Sequence, residues 1–232
     1  MSSSSSPFAP IDQHDWFVRS GRWFTRIAAI GADLDLPDTL TLPGNRPTIL
    51  VGNHRSLFDL VATMAIFSKF GVSSRIQVRA DLMEKGPGAR LLRSIGCIPT
   101  SSSTRASAER ASIETVQKGQ LLSLMPEGRL CKPGEWMGGV GPGRPGVSRI
   151  ALATDAVIVP VGFSGTELVW PRGKPPKVQF PRPKVTMRLG PAMELASTDH
   201  DENAEQVMDG LRSLLRSMGD PHALRDVSAA TS

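Results

Sequence analysis

Short apolar runs flanked by turn-forming residues alternate along most of the chain with longer segments whose apolar positions recur every three to four residues. The runs predict strands at 47–52, 74–80, 120–125 and 157–163, and another near 183–189. The longer segments predict helices at 57–70, 87–95, 105–118 and about 145–155. A last amphipathic helix runs from about Asp201 to Met218, with Val207, Met208, Leu211, Leu214 and Leu215 as its apolar face, and stops at Gly219-Asp220-Pro221. This rhythm predicts an α/β fold, a mixed and largely parallel sheet covered by helices. In such sheets ligands bind at the carboxyl ends of the strands, so that is where chemistry is sought.

Residues 12–30 form a separate pattern. Trp16, Trp23, Ile27 and Ile30 lie on or near one helical face with Phe17 and Phe24 beside it, while Arg19, Arg22 and Arg26 recur on another side. Two readings stay open: a helix lying in a lipid interface with its guanidinium groups on phosphates, or one packed on its own domain.

At 232 residues the chain is long enough for one sizeable core, and the expected organisation is a single domain over 12–219. The serine run at the start predicts a disordered tail over 1–11, and the last residues, 220–232, a frayed one. No stretch approaches the roughly 18 apolar residues that a membrane span requires, which leaves a soluble protein or one resting on a surface. Cys97 and Cys131 have no metal-site spacing and are expected to be reduced thiols. The net charge of +5 matters less than its placement: from Arg172 to Arg188 six Lys or Arg residues occur with no acid among them. Such a strip suits lipid phosphates, nucleic acid or an acidic carrier protein. Prolines 171, 175, 176, 181 and 183 exclude a basic helix of the kind that enters a DNA groove, and nucleic acid is not expected as a partner.

Two predicted strand ends carry polar groups. Behind Thr48-Ile49-Leu50-Val51-Gly52-Asn53 stands His54-Arg55-Ser56-Leu57-Phe58-Asp59, and behind Gln120-Leu121-Leu122-Ser123-Leu124 stands Met125-Pro126-Glu127-Gly128-Arg129. A histidine with a carboxylate on one ring nitrogen is fixed in orientation and keeps the other nitrogen free to take a proton. Five residues apart on a straight helix the two side chains would diverge, so His54 is placed in the strand-to-helix turn and Asp59 in the helix's first turn. The plain alternative is that Asp59 merely favours a helix N-terminus. Ser56 lacks a Gly-X-Ser-X-Gly elbow and reads as a helix-start hydroxyl rather than a nucleophile. His14, His200 and His222 are expected to be solvated. The glycine-rich stretch 134–146 reads either as a mobile cover, with Trp136 touching an acyl chain or a membrane, or as an ordinary surface loop.

Taken in order, these blocks resemble the glycerolipid acyltransferase family, typified by lysophosphatidate acyltransferases. His54 and Asp59 match its His-X4-Asp motif, and Glu127-Gly128 match its Glu-Gly block. Val157-Ile158-Val159-Pro160-Val161 resembles the family strand that ends in a proline near the site. Gly143 to Arg149 is similar to its basic, glycine-containing turn, and the stretch from Arg79-Ala80-Asp81-Leu82 to Gly96-Cys97-Ile98-Pro99 to its second block. The likeness spans nearly all of residues 12–216.

The resemblance implies acyl transfer from a thioester donor, acyl-CoA or acyl carrier protein, to a lipid hydroxyl such as that of lysophosphatidic acid. It implies His54 as general base oriented by Asp59, with Glu127 as a polar anchor for the acceptor or a basic neighbour. Arg129, Arg105, Arg144, Gly128 and Pro160 are the further substrate-binding candidates, and backbone N–H groups near Gly128 the expected oxyanion donors. It implies no cofactor and no metal, a membrane surface with anionic lipid as partner, and a cytoplasmic, peripheral position on the inner face of the cell membrane. Two departures bear on the acceptor. Arg129 follows Gly128 directly where the family usually reads Glu-Gly-Thr-Arg, and the second-block arginine that contacts the acceptor phosphate is replaced at about Ser102, with Arg105 the nearest substitute. Either the acceptor is not plain lysophosphatidic acid, being for example a glycolipid or a specialised metabolite, or Arg105, Arg129 or Arg144 has taken over the anion. A lipid-surface binding protein without turnover is the reading outside enzymology.

Overall fold

A computed structural model describes residues 8–229. At its centre is β2 (Thr48–Gly52), all five of whose residues are buried, as a Thr-Ile-Leu-Val-Gly run covered on both faces should be. On one side it pairs in parallel with β5 (Leu121–Leu124), then β3 (Ser74–Arg79) and β4 (Ile98–Thr100). On the other it pairs in parallel with β6 (Val157–Ser164). Next comes β7 (Lys184–Leu189), antiparallel to β6, and then β1 (Asp33–Asp35), parallel to β7. The sheet order is β1-β7-β6-β2-β5-β3-β4. The predicted mixed, largely parallel sheet is therefore present, and the carboxyl ends of five parallel neighbours share one edge.

Two apolar layers cover the sheet, and strand alternation divides the side chains between them. Leu50, Ile76, Leu121, Val161 and Phe163 face α1 (His14–Gly31), α2 (Phe58–Phe70) and α3 (Gly86–Ser94). Ile49, Val51, Leu122 and Ile158 face α4 (Arg105–Gln117), α5 (Gly146–Thr154) and α7 (His200–Ser217). The chain also forms α6 (Thr166–Val169) and α8 (Pro221–Ala229).

The predicted strands and helices recur within a residue or two of their expected bounds, but β1, β4, α6 and α8 were not foreseen. Asp-Leu-Asp and Ile-Pro-Thr are too short to establish a period of two, and they become strands only by pairing with β7 and β3. The expected tails need correction within the described residues. Phe8 and Ile11 are core residues, and the Ala9 N–H donates to the Gly119 carbonyl (2.9 Å). At the other end Asp220 and Ala223 are buried, and Pro221 opens α8 instead of a frayed end. Residues 1–7 and 230–232 lie outside the described residues.

Helix α1 satisfies the packing half of its double reading without using the predicted apolar face. Phe17, Val18, Gly21 and Ala28 are buried, whereas Trp16, Trp23, Ile27 and Ile30 are between 44 and 64 % exposed. Gly21 permits the contact with α2, since a Cβ there would stand 2.6 Å from the Met64 carbonyl oxygen.

Candidate active site

β2 delivers His54 to the carboxyl edge of the sheet, and the residues between it and α2 turn the backbone through the bend that the five-residue spacing required. His54 Nδ1 lies 2.9 Å from Asp59 Oδ2. The same oxygen accepts the backbone N–H groups of Arg55 and Ser56, each at 2.9 Å, so the carboxylate holds the turn as well as the ring. Because a carboxylate only accepts, Nδ1 donates and Nε2 is left as the basic nitrogen. Asp59 is fully buried, while His54 is 18 % exposed and lines a cavity. Ser56 is buried, accepting from the Phe58 N–H (3.0 Å) and donating to the Trp170 carbonyl (2.7 Å), which makes it a helix-start hydroxyl.

The cavity measures about 1120 Å³, above the roughly 300–1,000 Å³ of ordinary small-molecule sites. Its apolar wall includes Leu50, Ile76, Phe163 and Met187 from one face of the sheet and Leu60, Ile66 and Phe67 from α2. Its polar wall carries Ser101 to Thr104 and five arginines, Arg79, Arg105, Arg129, Arg144 and Arg149. Three of these are matched by acids: Arg79 by Asp81, Arg149 by Glu109, and Arg129 by both oxygens of Glu135 (2.6 and 2.9 Å). The Arg129 contact holds the Glu135 carboxyl down at about 2. Arg105 and Arg144 form no ion pair among the described residues, although Arg144 Nε donates to the Glu127 carbonyl (3.1 Å). The unmatched positive charge of the polar wall therefore sits on Arg105 and Arg144.

Several expectations change. Glu127 does not line the cavity: it is buried behind the His54–Asp59 turn, where Oε1 accepts from the His54 N–H (3.2 Å) and the Gly141 N–H (3.4 Å) while Oε2 has no hydrogen-bond partner among the described residues. Burial pushes its carboxyl up to about 7, against the opposing pull of His54. Gly128 does border the cavity with φ +67°, but its N–H is taken by the Met125 carbonyl (3.0 Å) and is not free for an oxyanion. Pro160 is buried in β6 opposite Val51 and is absent from the cavity wall. It is tolerated there because its missing N–H falls on the β7 side, between the Ile158–Met193 bridge and the ladder that begins at Val161.

The glycine-rich stretch is a packed strap rather than a cover. Val140 is fully buried, and Trp136 stacks on the Arg55 guanidinium (5.1 Å) and meets the His222 ring (4.7 Å), away from the cavity. The three other histidines are half-buried and each has a partner as well as solvent: His14 meets Ser73, His200 meets Ser148 and His222 meets Glu167.

Three residues that support the site escaped the sequence reading. Asn53 exchanges two hydrogen bonds with the backbone of Phe163, 3.0 Å from Nδ2 and 2.8 Å to Oδ1, and so clamps the end of β2 to β6. Arg55, next to His54, is fully buried and bonded through both terminal nitrogens to Asp220 (2.8 and 2.9 Å), while its Nε donates to the Gly139 carbonyl (2.7 Å). Asp220 also accepts from the Ser164 hydroxyl (2.6 Å). Polarity next to the histidine was a signal for Asn53 and Arg55, but nothing local links Arg55 to a residue 165 positions away.

A family profile described as Acyltransferase matches residues 35–164, more than half of the chain and the part that holds both strand-end blocks. The chain belongs to the acyltransferase family. Among solved structures, this acyltransferase is similar to the 1-acyl-sn-glycerophosphate acyltransferase PlsC from Thermotoga maritima, at 20 % identity and a TM-score of 0.66. That alignment covers 89 % of this chain and 79 % of the other, and at such identity it establishes a shared fold. No curated protein sequence matches the chain. The fold expected from the resemblance is thus present, with the His54–Asp59 pair on the edge where that family's chemistry was expected.

Proposed function

We propose that this acyltransferase moves a fatty acyl group from a thioester, acyl-CoA or acyl carrier protein, to a hydroxyl of a lysophospholipid such as lysophosphatidic acid. The observation that carries the reading is one cavity holding three things: the open Nε2 side of a carboxylate-oriented histidine, a long apolar wall, and two guanidinium groups without acids. His54 Nε2 takes the hydroxyl proton as the oxygen bonds to the thioester carbonyl carbon. Asp59 steadies the imidazolium so formed. Collapse of the tetrahedral species breaks the carbon–sulfur bond, and the imidazolium returns its proton to the departing thiolate. The apolar wall suits the acyl chain, and Arg105 and Arg144 suit the acceptor phosphate as charge-assisted donors. The enzyme works as a peripheral protein on the inner face of the membrane, where acceptor and anionic lipid are found together.

The test is free-thiol release from an acyl-CoA panel, with and without lysophosphatidic acid, for wild type and His54→Ala. Removing a general base should lower acceptor-stimulated release by about 10²- to 10⁴-fold with the fold intact. Retained turnover in the variant overturns the mechanism. A second reading, the same chemistry on an acceptor without phosphate, is favoured by Ser102 in the place of the second-block arginine and by the neutralised Arg129. Paired acceptors with and without phosphate separate the two, since strict dependence on phosphate removes the second.

A further inference from the structure

We propose that residues 168–182 form a second membrane-docking element beside α1, so that the two together seat the enzyme on an anionic bilayer. This rests on the reading that the acceptor is a membrane lipid. The segment holds the most exposed apolar side chains among the described residues, Phe180 at 98 % and Val178 at 79 %, with Leu168 at 52 %. A hydrogen bond from Gln179 Nε2 to the Leu168 carbonyl (2.9 Å) and another from the Lys177 N–H to the Val169 carbonyl (2.8 Å) hold these positions together.

The segment is tied to the helix at one end and to the active site at the other. Arg182 donates to the Ala29 carbonyl in the last turn of α1, and the Asp33 N–H donates to the Pro183 carbonyl. That places Phe180 and Val178 next to the helix end whose outer face carries Trp23, Ile27 and Ile30. At the segment's start the Trp170 carbonyl takes the Ser56 hydroxyl, and Arg172 Nε donates to the carbonyl of Leu130, a cavity-lining residue.

Charge selects the occupant. Lys174 and Lys177 are exposed and make no ion pair among the described residues, and neither do Arg22 and Arg26 on α1. Between Trp170 and Pro183 there is no acid. The nearest in sequence, Glu167, is engaged by His222 (3.2 Å). Apolar side chains exposed on two adjoining elements and bordered by unpaired cations match an interface with apolar depth and a negative surface, which is an anionic bilayer.

The test uses the full chain in co-sedimentation with phosphatidylcholine vesicles, with and without phosphatidylglycerol, and in parallel measures thiol release with a soluble short-chain acceptor. Wild type should bind the phosphatidylglycerol vesicles in a salt-sensitive way. Val178→Ser/Phe180→Ser should weaken that binding at least about tenfold. Lys174→Glu/Lys177→Glu should weaken it by about 25-fold or more, from about fivefold per cation removed. Turnover of the soluble acceptor should be unchanged in both, which also shows that they fold. Wild-type binding by both variants, with loss only in Ile27→Ser/Ile30→Ser, overturns the proposal, as does a wild type that ignores anionic vesicles. Segment-dependent vesicle binding by a wild type with no turnover of any acceptor would leave this surface standing and remove the acyl-transfer reading.

Discussion

Replacing Asp220 by alanine strands a guanidinium in the core. Arg55 and Asp220 are both fully buried in side chain, and the variant leaves Arg55 with the Gly139 carbonyl and the Trp136 face as its remaining partners. Removing one partner of such a pair costs about 3–5 kcal/mol. The same change removes the acceptor for the His222 and Ala223 N–H groups at the start of α8, about 1 kcal/mol more. A total near 4–6 kcal/mol is a large part of the roughly 5–15 kcal/mol that holds a domain together, and it lowers Tm by on the order of 10–20 °C at this size. Urea unfolding and a thermal scan measure it. Because Arg55 adjoins His54, thiol release should fall by more than the unfolded fraction accounts for. The control is Arg55→Met/Asp220→Leu, which removes both charges and should recover most of the stability. An Asp220→Ala variant within about 1 kcal/mol of wild type would refute the reasoning. Burial raises the Asp220 carboxyl, but the Arg55 and Ser164 contacts outweigh it and hold it below its ordinary value. A group depressed on folding stabilises above its unfolded pKa, so the gap between wild type and Asp220→Asn should be full at neutral pH and close as the pH falls through the folded value.

Further outcomes follow from the same geometry. The Glu127 carboxyl is raised from 4.5 to about 7, so the fold favours its neutral form. Its contribution to stability is present below 4.5 and lost as the pH rises to about 7, a decline of at most about 3 kcal/mol that Glu127→Gln should flatten in urea titrations across that interval. Arg105→Gln and Arg144→Gln should each raise KM for a phosphate-bearing acceptor by about 10- to 100-fold, the worth of a charged hydrogen bond, and leave KM for a phosphate-free acceptor unchanged. Equal effects on both acceptors would assign the two arginines elsewhere. Gly21→Leu must separate α1 from α2, since even its Cβ meets the Met64 carbonyl oxygen at 2.6 Å, and should cost about 1–3 kcal/mol by thermal unfolding.

The sequence by itself determined the sheet class, the major helices and the pairing of His54 with Asp59, for reasons of short range. A strand buried on both faces must be continuously apolar, as in Thr48 to Gly52, and an amphipathic period places α7 before any neighbour is known. His54 and Asp59 were legible because five residues spanning a strand-to-helix bend can bring their side chains together. What only the tertiary structure decided depends on contacts between distant segments. Strand β1 exists by pairing with β7, and the last turn orders because Arg55 requires a buried anion from 165 residues away. Glu127 points to the back of the His54–Asp59 turn instead of toward the cavity because its direction is set by the Gly141 and His54 backbones, which no spacing encodes. The sequence offered three arginines for an anion, Arg105, Arg129 and Arg144, whereas the fold sets five on the cavity wall and matches Arg79 and Arg129 with acids close in sequence and Arg149 with Glu109 from α4, which leaves Arg105 and Arg144 without an acid among the described residues. Charge is a property of a residue, whereas available charge is a property of its neighbours, and those are assigned only when the chain closes on itself.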